Sequence, residues 1–378
     1  MRILIIGGGI AGPMLARQLR KHNVQCEITL IEQAPEFKNI GYGIALWANG
    51  RRILKEAGID DTSIDQEGYE VPWEVFETPQ HRLLNQVLLS HVKALGVPVF
   101  IPRALLHRTI VSQIDQNIVH LNTKPVAIQN NVANKTVNVE FSNGTRSEYD
   151  LVVGADGIHS WTRENIFGPG YLKNYGWSIW VMWIDSKFKL SKGAVGISVP
   201  GKLATLFPLR ERSMLSLTAL KKPGPDNVEQ RKESLLETFK EFGEPITGII
   251  ESVPSGQEIL YNDCMYVQLN HWYKNRIVLI GDAQHALSPA MGMGASLALE
   301  DACVLADELS KTGDIDGALA NFSQRRNLRL EPYKKAAHRI ESVMMASGFM
   351  NQLRNIFLPF IPGSYFLKPL ERLVSEEI

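Results

Sequence analysis

The chain has 378 residues, with 40 Lys+Arg against 40 Asp+Glu, and is formally neutral at pH 7. Neutrality removes the usual electrostatic basis for nucleic-acid binding, the 44% apolar and 21% charged fractions argue against a disordered or fibrous chain, and the length suffices for two or three domains of ~150 residues. The three scattered cysteines, Cys26, Cys264 and Cys303, argue against a zinc site or disulfide framework and for a reducing compartment, the cytoplasm.

Arg2 to Ile6 (RILII) is an apolar run ending in glycine and reads as a buried strand. With Met1-Arg2 ahead of it the opening has the outline of a signal peptide, but three successive glycines and the basic run Arg17 to Lys21 fit one poorly. Met14, Leu15 and Leu19 recur at helical spacing over Ala11 to Lys21, and Glu27 to Glu32 (EITLIE) alternates as a second strand. The first 32 residues therefore predict a β-α-β unit. Asn49 to Gly58 predicts a helix, Glu70 to Glu77 a strand, and Gln80 to Leu95 a helix with Leu83, Leu84, Val87, Leu88 and Val92 on one face. Ile114 to Leu121 is a weak strand, Thr136 to Phe141 a period-two strand before the turn Ser142-Asn143-Gly144, and DLVVGADG from Asp150 an apolar strand running into a turn. From Gly176 to Ala219 the composition and the turn signals at Pro200-Gly201 and Arg210 to Arg212 predict several antiparallel strands. Glu229 to Phe242 is helical, Asn275 to Ile280 a buried strand, and Ala295 to Leu309 and Ile315 to Ser347 long helices. No run of ~18 apolar residues predicts a membrane span. The apolar tail Phe349 to Phe366, broken at Pro359 and Pro362, is expected to pack as a last helix rather than lie on a membrane surface.

Three segments carry chemistry. Gly7-x-Gly9-x-x-Gly12 sits between the first strand and helix, where glycines permit a tight turn and close approach of amides to a pyrophosphate at the helix N-terminus. Glu32, twenty residues past Gly12 at the end of the second strand, is placed to bind ribose hydroxyls. In the second and third segments an apolar strand delivers an aspartate, Asp156 or Asp282, to a turn at its carboxyl end, the edge where ligands sit in open α/β sheets. The third turn leads through Pro289, Gly292 and Gly294 to a helix start whose amides suit a developing negative charge.

Taken in order, GGGIAG, ADGIHS and GDAQHALSPAMGMG resemble the class A flavoprotein monooxygenases, the para-hydroxybenzoate hydroxylase-like family that includes tetracycline-inactivating members. The resemblance runs to about Arg329. It implies an α/β fold: a Rossmann-like, glutathione-reductase-type FAD domain (1–72, 98–175 and 265–330), an inserted mainly antiparallel substrate domain (73–97 and 176–264) and a C-terminal helical segment (331–378). It implies non-covalent FAD, held at the AMP half by the glycine loop and Glu32 and at the ribityl or pyrophosphate region by Asp282. Asp156 is implied in FAD and nicotinamide handling. By the same resemblance Arg103 bonds the ribityl-phosphate portion, the loop Gly41-x-Gly43-Ile44 with Asn49 passes beside the isoalloxazine ring, and Lys38 is the basic residue near the cofactor. Met293 and Ser296 depart from the family's usual Gln and Asn, so no side-chain bond is carried over to either. The implied reaction uses NAD(P)H and O2 and hydroxylates an aromatic or polycyclic small molecule through a C4a-hydroperoxyflavin.

Trp177 and Trp183 share one strand face and Trp180 the other, so the first two are candidates for a substrate pocket, with core packing an equal reading for at least one. Phe207, in a turn resembling one that faces the family's substrate, and Pro289 join them. His159 and His285 read as structural histidines rather than acid–base groups. The halogenase segment Trp-x-Trp-x-Ile-Pro does not occur. Two other readings stay open: a flavin-dependent reductase of an isoprenoid-like substrate, and a non-catalytic FAD- and ligand-binding protein.

Overall fold

The β-α-β unit forms because its two apolar strands are flanked by an amphipathic helix and punctuated by glycine. Arg2–Ile6 pairs in parallel with Glu27–Ile31, and the helix Ala11–Lys21 buries Met14, Leu15 and Leu19 against them. The computed structural model describes residues 1–37, 41–89, 96–185, 188, 193–221, 224, 226–289 and 292–375.

Around the first strand a six-stranded sheet is assembled in the order Tyr273–Lys274, Ile277–Leu279, Leu151–Gly154, Arg2–Ile6, Glu27–Ile31, Val119–His120. All of its pairs are parallel except the first. Parallel register brings Ile6 beside Gly154 and Gly154 beside Leu279, so the glycine loop, the Asp156 turn and the Asp282 turn leave the sheet at one edge. The long helices Gly294–Lys311 and Ile315–Met344 pack on this unit, burying Leu297, Leu305, Leu319 and Phe322.

The second large sheet has seven strands in the order Leu260–Val267, Leu172–Ile184, Ser213–Leu220, Lys202–Pro208, Ala194–Val199, Trp73–Glu77, Leu83–Leu88, antiparallel except where Ala194–Val199 runs beside Trp73–Glu77. Alternation splits its faces. Trp180, Leu215 and Leu217 pack with Phe239, Ile246 and Ile250 of the helices Arg231–Phe239 and Ile246–Ser252, and the opposite face roofs a cavity. Two of the strands, Leu172–Ile184 and Leu260–Val267, run across residues 176 and 264, where the sequence places the edges of an inserted domain.

The helix expected over Gln80 to Leu95 is a correction. Leu83–Leu88 is an edge strand paired with Trp73–Glu77, and residues 90–95 lie outside the described part. Adjacent leucines at 83, 84 and 88 satisfy either period over so short a run. The turn Thr78 to Arg82, with His81 in the left-handed region at φ 58°, decides for a hairpin. Of the weak strand over Ile114 to Leu121, only Val119–His120 pairs, after a 3₁₀ turn at Gln116–Ile118.

The tail forms two helices, Gly348–Phe357 and Ser364–Ser375. Asn85 Nδ2 donates to the carbonyls of Leu358 and Ile361 (2.9 and 2.7 Å), and Arg354 Nη1 to that of Met344 (3.0 Å). The tail therefore packs on the second sheet, while Phe349, Phe357 and Phe360 face outward. No helix among the described residues is long and apolar enough to cross a membrane.

Candidate functional site

The glycine loop is built tightly on two sides and open on a third. A Cβ on Gly7, which has φ 112°, would stand 2.4 Å from Ala155 O, and one on Gly12 would stand 2.1 Å from Gly7 O. Both glycines let the loop, the helix and the neighbouring strand touch backbone to backbone. Gly9 differs: a Cβ there would meet only Arg103 Nη2, at 3.8 Å. Its outer side lines the cleft, and so do Ile10 and Ala11 at the start of the helix, where first-turn amides have no intrahelical acceptor. Glu32 braces the loop from behind, its Oε2 accepting from Gly8 N (2.8 Å) and its Oε1 from Ala34 N (2.9 Å).

The two aspartate turns serve different ends. Asp156 is spent on the chain: it accepts from Ser160 Oγ and from Thr162 N (2.8 Å) at the start of the helix Trp161–Ile166. Burial raises its pKa against those bonds. Asp282 opens on the cleft as an exposed side chain, with no hydrogen bond from its carboxylate to the described residues. Desolvation by the cleft walls raises its pKa, opposed by the nearby charges of His285 and Arg103.

Beneath Asp282 lies an ionic cluster, buried except for the partly exposed Arg329 at its edge. Asp301 Oδ2 accepts from Gly281 N (2.7 Å) and from His285 Nε2 (2.6 Å), and its Oδ1 from Arg326 Nε (2.6 Å). Glu300 accepts from Arg326 Nη1, from both Arg329 Nε and Nη2, and from Asn49 Nδ2, each at 2.7 Å. Burial opposes the charged form of both acids, but His285 and Arg326 around Asp301, and the two arginines around Glu300, outweigh it and hold their pKa values below the ordinary range. The cluster locks the Gly281–Asp282 turn to the helix Gly294–Lys311 and to the helix Ala48–Glu56, which carries Asn49.

One cavity of about 600 Å³ joins these parts. Gly9, Gly43, Arg103, Asp282, Gly292, Gly294, Trp177, Phe207 and Pro289 all line it. Trp183, expected beside Trp177, does not; the guanidinium of Arg212 lies 3.7 Å over its ring instead. Gly7, Gly12, Glu32 and Asp156 support the lining without joining it, and Lys38 lies outside the described residues. Met293 and Ser296 are buried and do not line the cavity, and Ser296 Oγ accepts from Trp47 N (3.4 Å). The end of the cavity under the second sheet is mostly apolar, with Phe76, Ile179, Val181, Leu203 and Met214 in its wall. His285, buried and held by Asp301, also lines the cavity, and His159 is exposed.

Several contributors escaped the sequence reading. His107 Nε2 donates to Gly8 O (2.7 Å) and steadies the glycine loop; burial lowers its pKa. Its signal was the i,i+4 spacing from Arg103 on the helix Arg103–Val111. Glu300 and Asp301 were visible as two acids inside an apolar helical run, which ask for buried cations. Glu74 and Glu341, also in the cavity wall, left no such mark.

The residues fit a dinucleotide. Open space at Gly9, the first-turn amides, Arg103 and an unengaged Asp282 provide donors for phosphate and an acceptor for ribityl hydroxyls. Trp47 belongs to the same wall, its Nε1 buried without an acceptor among the described residues. Comparison with known proteins agrees. A family model described as an FAD binding domain matches residues 1–331. The chain is 28% identical over 384 residues to 2-heptyl-3-hydroxy-4(1H)-quinolone synthase of Pseudomonas aeruginosa, covering 99% of this chain and 98% of that one. It is also 28% identical to aurachin C monooxygenase/isomerase of Stigmatella aurantiaca, over 91% and 89% of the two chains. Among solved structures it is similar to Klebsiella pneumoniae HpxO complexed with FAD and uric acid, with a TM-score of 0.88 at 20% identity over 99% and 96% of the chains.

Proposed function

This chain belongs to the FAD-binding-domain family and is a flavin-dependent monooxygenase of class A; from that premise we propose that it hydroxylates an apolar aromatic or heteroaromatic small molecule with NAD(P)H and O2. The observation that carries the substrate class is the continuity of the cavity: a polar cradle of glycine amides, Arg103 and Asp282 opens without a break into a pocket walled by Ile179, Val181, Phe207 and Met214. The named relatives are a 2-heptyl-3-hydroxy-4(1H)-quinolone synthase and an aurachin C monooxygenase/isomerase, and a quinolone is a bicyclic heteroaromatic of this character.

The residues divide the work. The glycine loop and Arg103 would hold the FAD phosphates, and Asp282, fixed by the Asp301 cluster, the ribityl hydroxyls. Bound FAD supplies hydride acceptance from NAD(P)H and the activation of O2. The helix starting at Gly294 aims its free amides and positive dipole end at the cavity, favouring negative charge on a ring placed there. The apolar pocket excludes water, which suppresses wasteful loss of reducing power. Purified holoenzyme offered a panel of quinolones, naphthols and hydroxybenzoates should consume NAD(P)H in step with a one-oxygen mass gain in at least one bicyclic member. Reduction of an alkene with no oxygen gained would favour the reductase alternative and overturn this reading.

A further inference from the structure

Glu74 stands in the strand Trp73–Glu77 of the cavity wall. Its strand partners in register are Ala194 and Val87, and Phe76, two residues on, lines the same wall; all three are apolar. Neither carboxylate oxygen has a hydrogen-bond or ion-pair partner among the described residues. The other titratable groups lining the cavity are Tyr42, Arg103, Asp282, His285, Tyr333, Glu341 and Arg354, and none of them bears on it. Glu77, on the same strand, is bonded to His81 instead. A carboxyl left without a partner in an apolar wall is costly, and such a group persists where a ligand completes it. Burial alone pushes its pKa up to about 7, within the working range of a general base.

We propose that Glu74 is the base of the hydroxylation, accepting the proton of a ring-conjugated O–H or N–H on an otherwise apolar aromatic substrate. The heteroatom–hydrogen bond breaks and an O–H bond forms on the Glu74 carboxylate. The electron pair stays on the heteroatom and spreads into the ring, enriching the carbon one bond beyond the one bonded to that heteroatom, which receives oxygen. No electrons leave the substrate in this step, so it needs no co-reactant. The proposal rests on the monooxygenase reading for its purpose, but the contact itself is testable by binding alone.

The probes are 4(1H)-quinolone and 1-methyl-4-quinolone, which differ in the ring N–H. Calorimetric titration of the oxidised, FAD-loaded protein should show the N–H ring binding at least about tenfold tighter. Glu74→Leu, which strands no partner and should melt no lower than the parent, abolishes that preference. Glu74→Gln keeps an acceptor oxygen, so binding should stay within about threefold while kcat on 4(1H)-quinolone falls about a hundredfold or more. Equal binding of the two rings by the parent, binding of neither, or a preference intact in Glu74→Leu overturns the contact. Undiminished kcat in Glu74→Gln overturns the base. Preferential N–H binding that depends on Glu74 without oxygen transfer by the parent would uphold the contact and sink the hydroxylase reading instead.

Discussion

Gly9 and Gly12 belong to one motif, yet the structure assigns them opposite sensitivities. A methyl on Gly12 would stand 2.1 Å from Gly7 O, more than about 1 Å inside van der Waals contact. Relief requires moving the helix Ala11–Lys21 off the strand Arg2–Ile6, where Met14, Leu15 and Leu19 are fully buried. Overpacking of this kind costs about 1–3 kcal/mol or more, a large share of a domain's stability. A methyl on Gly9 meets nothing closer than Arg103 Nη2 at 3.8 Å. Gly9→Ala should therefore leave the melting of the FAD-free protein within about 0.5 kcal/mol of the parent, because its methyl points into the place a pyrophosphate would take. FAD affinity should nonetheless drop by at least about tenfold, or 1.4 kcal/mol. Calorimetric melts of the FAD-free proteins and fluorescence titration with FAD separate the two effects. Equal destabilisation by both variants, or undiminished FAD affinity in Gly9→Ala, would refute the assignment of Gly9 to the ligand side of the loop.

Three further outcomes follow from the site. Asp282→Ala removes a carboxylate that bonds no described group, so stability should hold while FAD binding weakens by about 1.5–3 kcal/mol; an unchanged FAD titration would remove Asp282 from the site. Arg326→Met leaves Glu300 and Asp301 buried with fewer cations and should cost about 3–5 kcal/mol, with loss of flavin from the purified protein; an unaltered melt would contradict a locking role for the cluster. Glu341 accepts from Trp177 Nε1 while its Oε2 has no partner among the described residues, and burial pushes its pKa up to about 7. Its penalty is absent below the ordinary carboxylate pKa of 4.5, grows as pH rises toward 7 and is complete above it. Glu341→Gln should thus raise stability by on the order of 1–3 kcal/mol at pH 8 and by little at pH 5, and equal gains at both would rule out the titration.

The cofactor half of the molecule was legible because each feature there is local. Strand, glycine turn, helix and the acid after the second strand lie within 32 residues, and parallel pairing then brings Asp156 and Asp282 to the same edge. What was not legible depends on which partner claims a side chain or a strand, near or far in the chain. Asp156 carries the same strand-end signature as Asp282, yet Ser160 and Thr162 claim its oxygens for a helix start. Trp183 obeys the alternation that puts it on the face of Trp177, but alternation says nothing of how far along a strand a cavity extends, and Arg212 covers it. Leu83–Leu88 was ambiguous in period, and pairing with Trp73–Glu77 settled it. Nothing local marked Glu74, which joined a cavity wall only when Ala194–Val199 paired beside its strand.

The most direct measurement is turnover of a bicyclic aromatic under ¹⁸O₂ with NAD(P)H and purified holoenzyme. The account predicts a product two mass units heavier than that made under ¹⁶O₂, one oxygen atom per NAD(P)H coupled. A product carrying oxygen from water, or none at all while NAD(P)H is consumed, would contradict it.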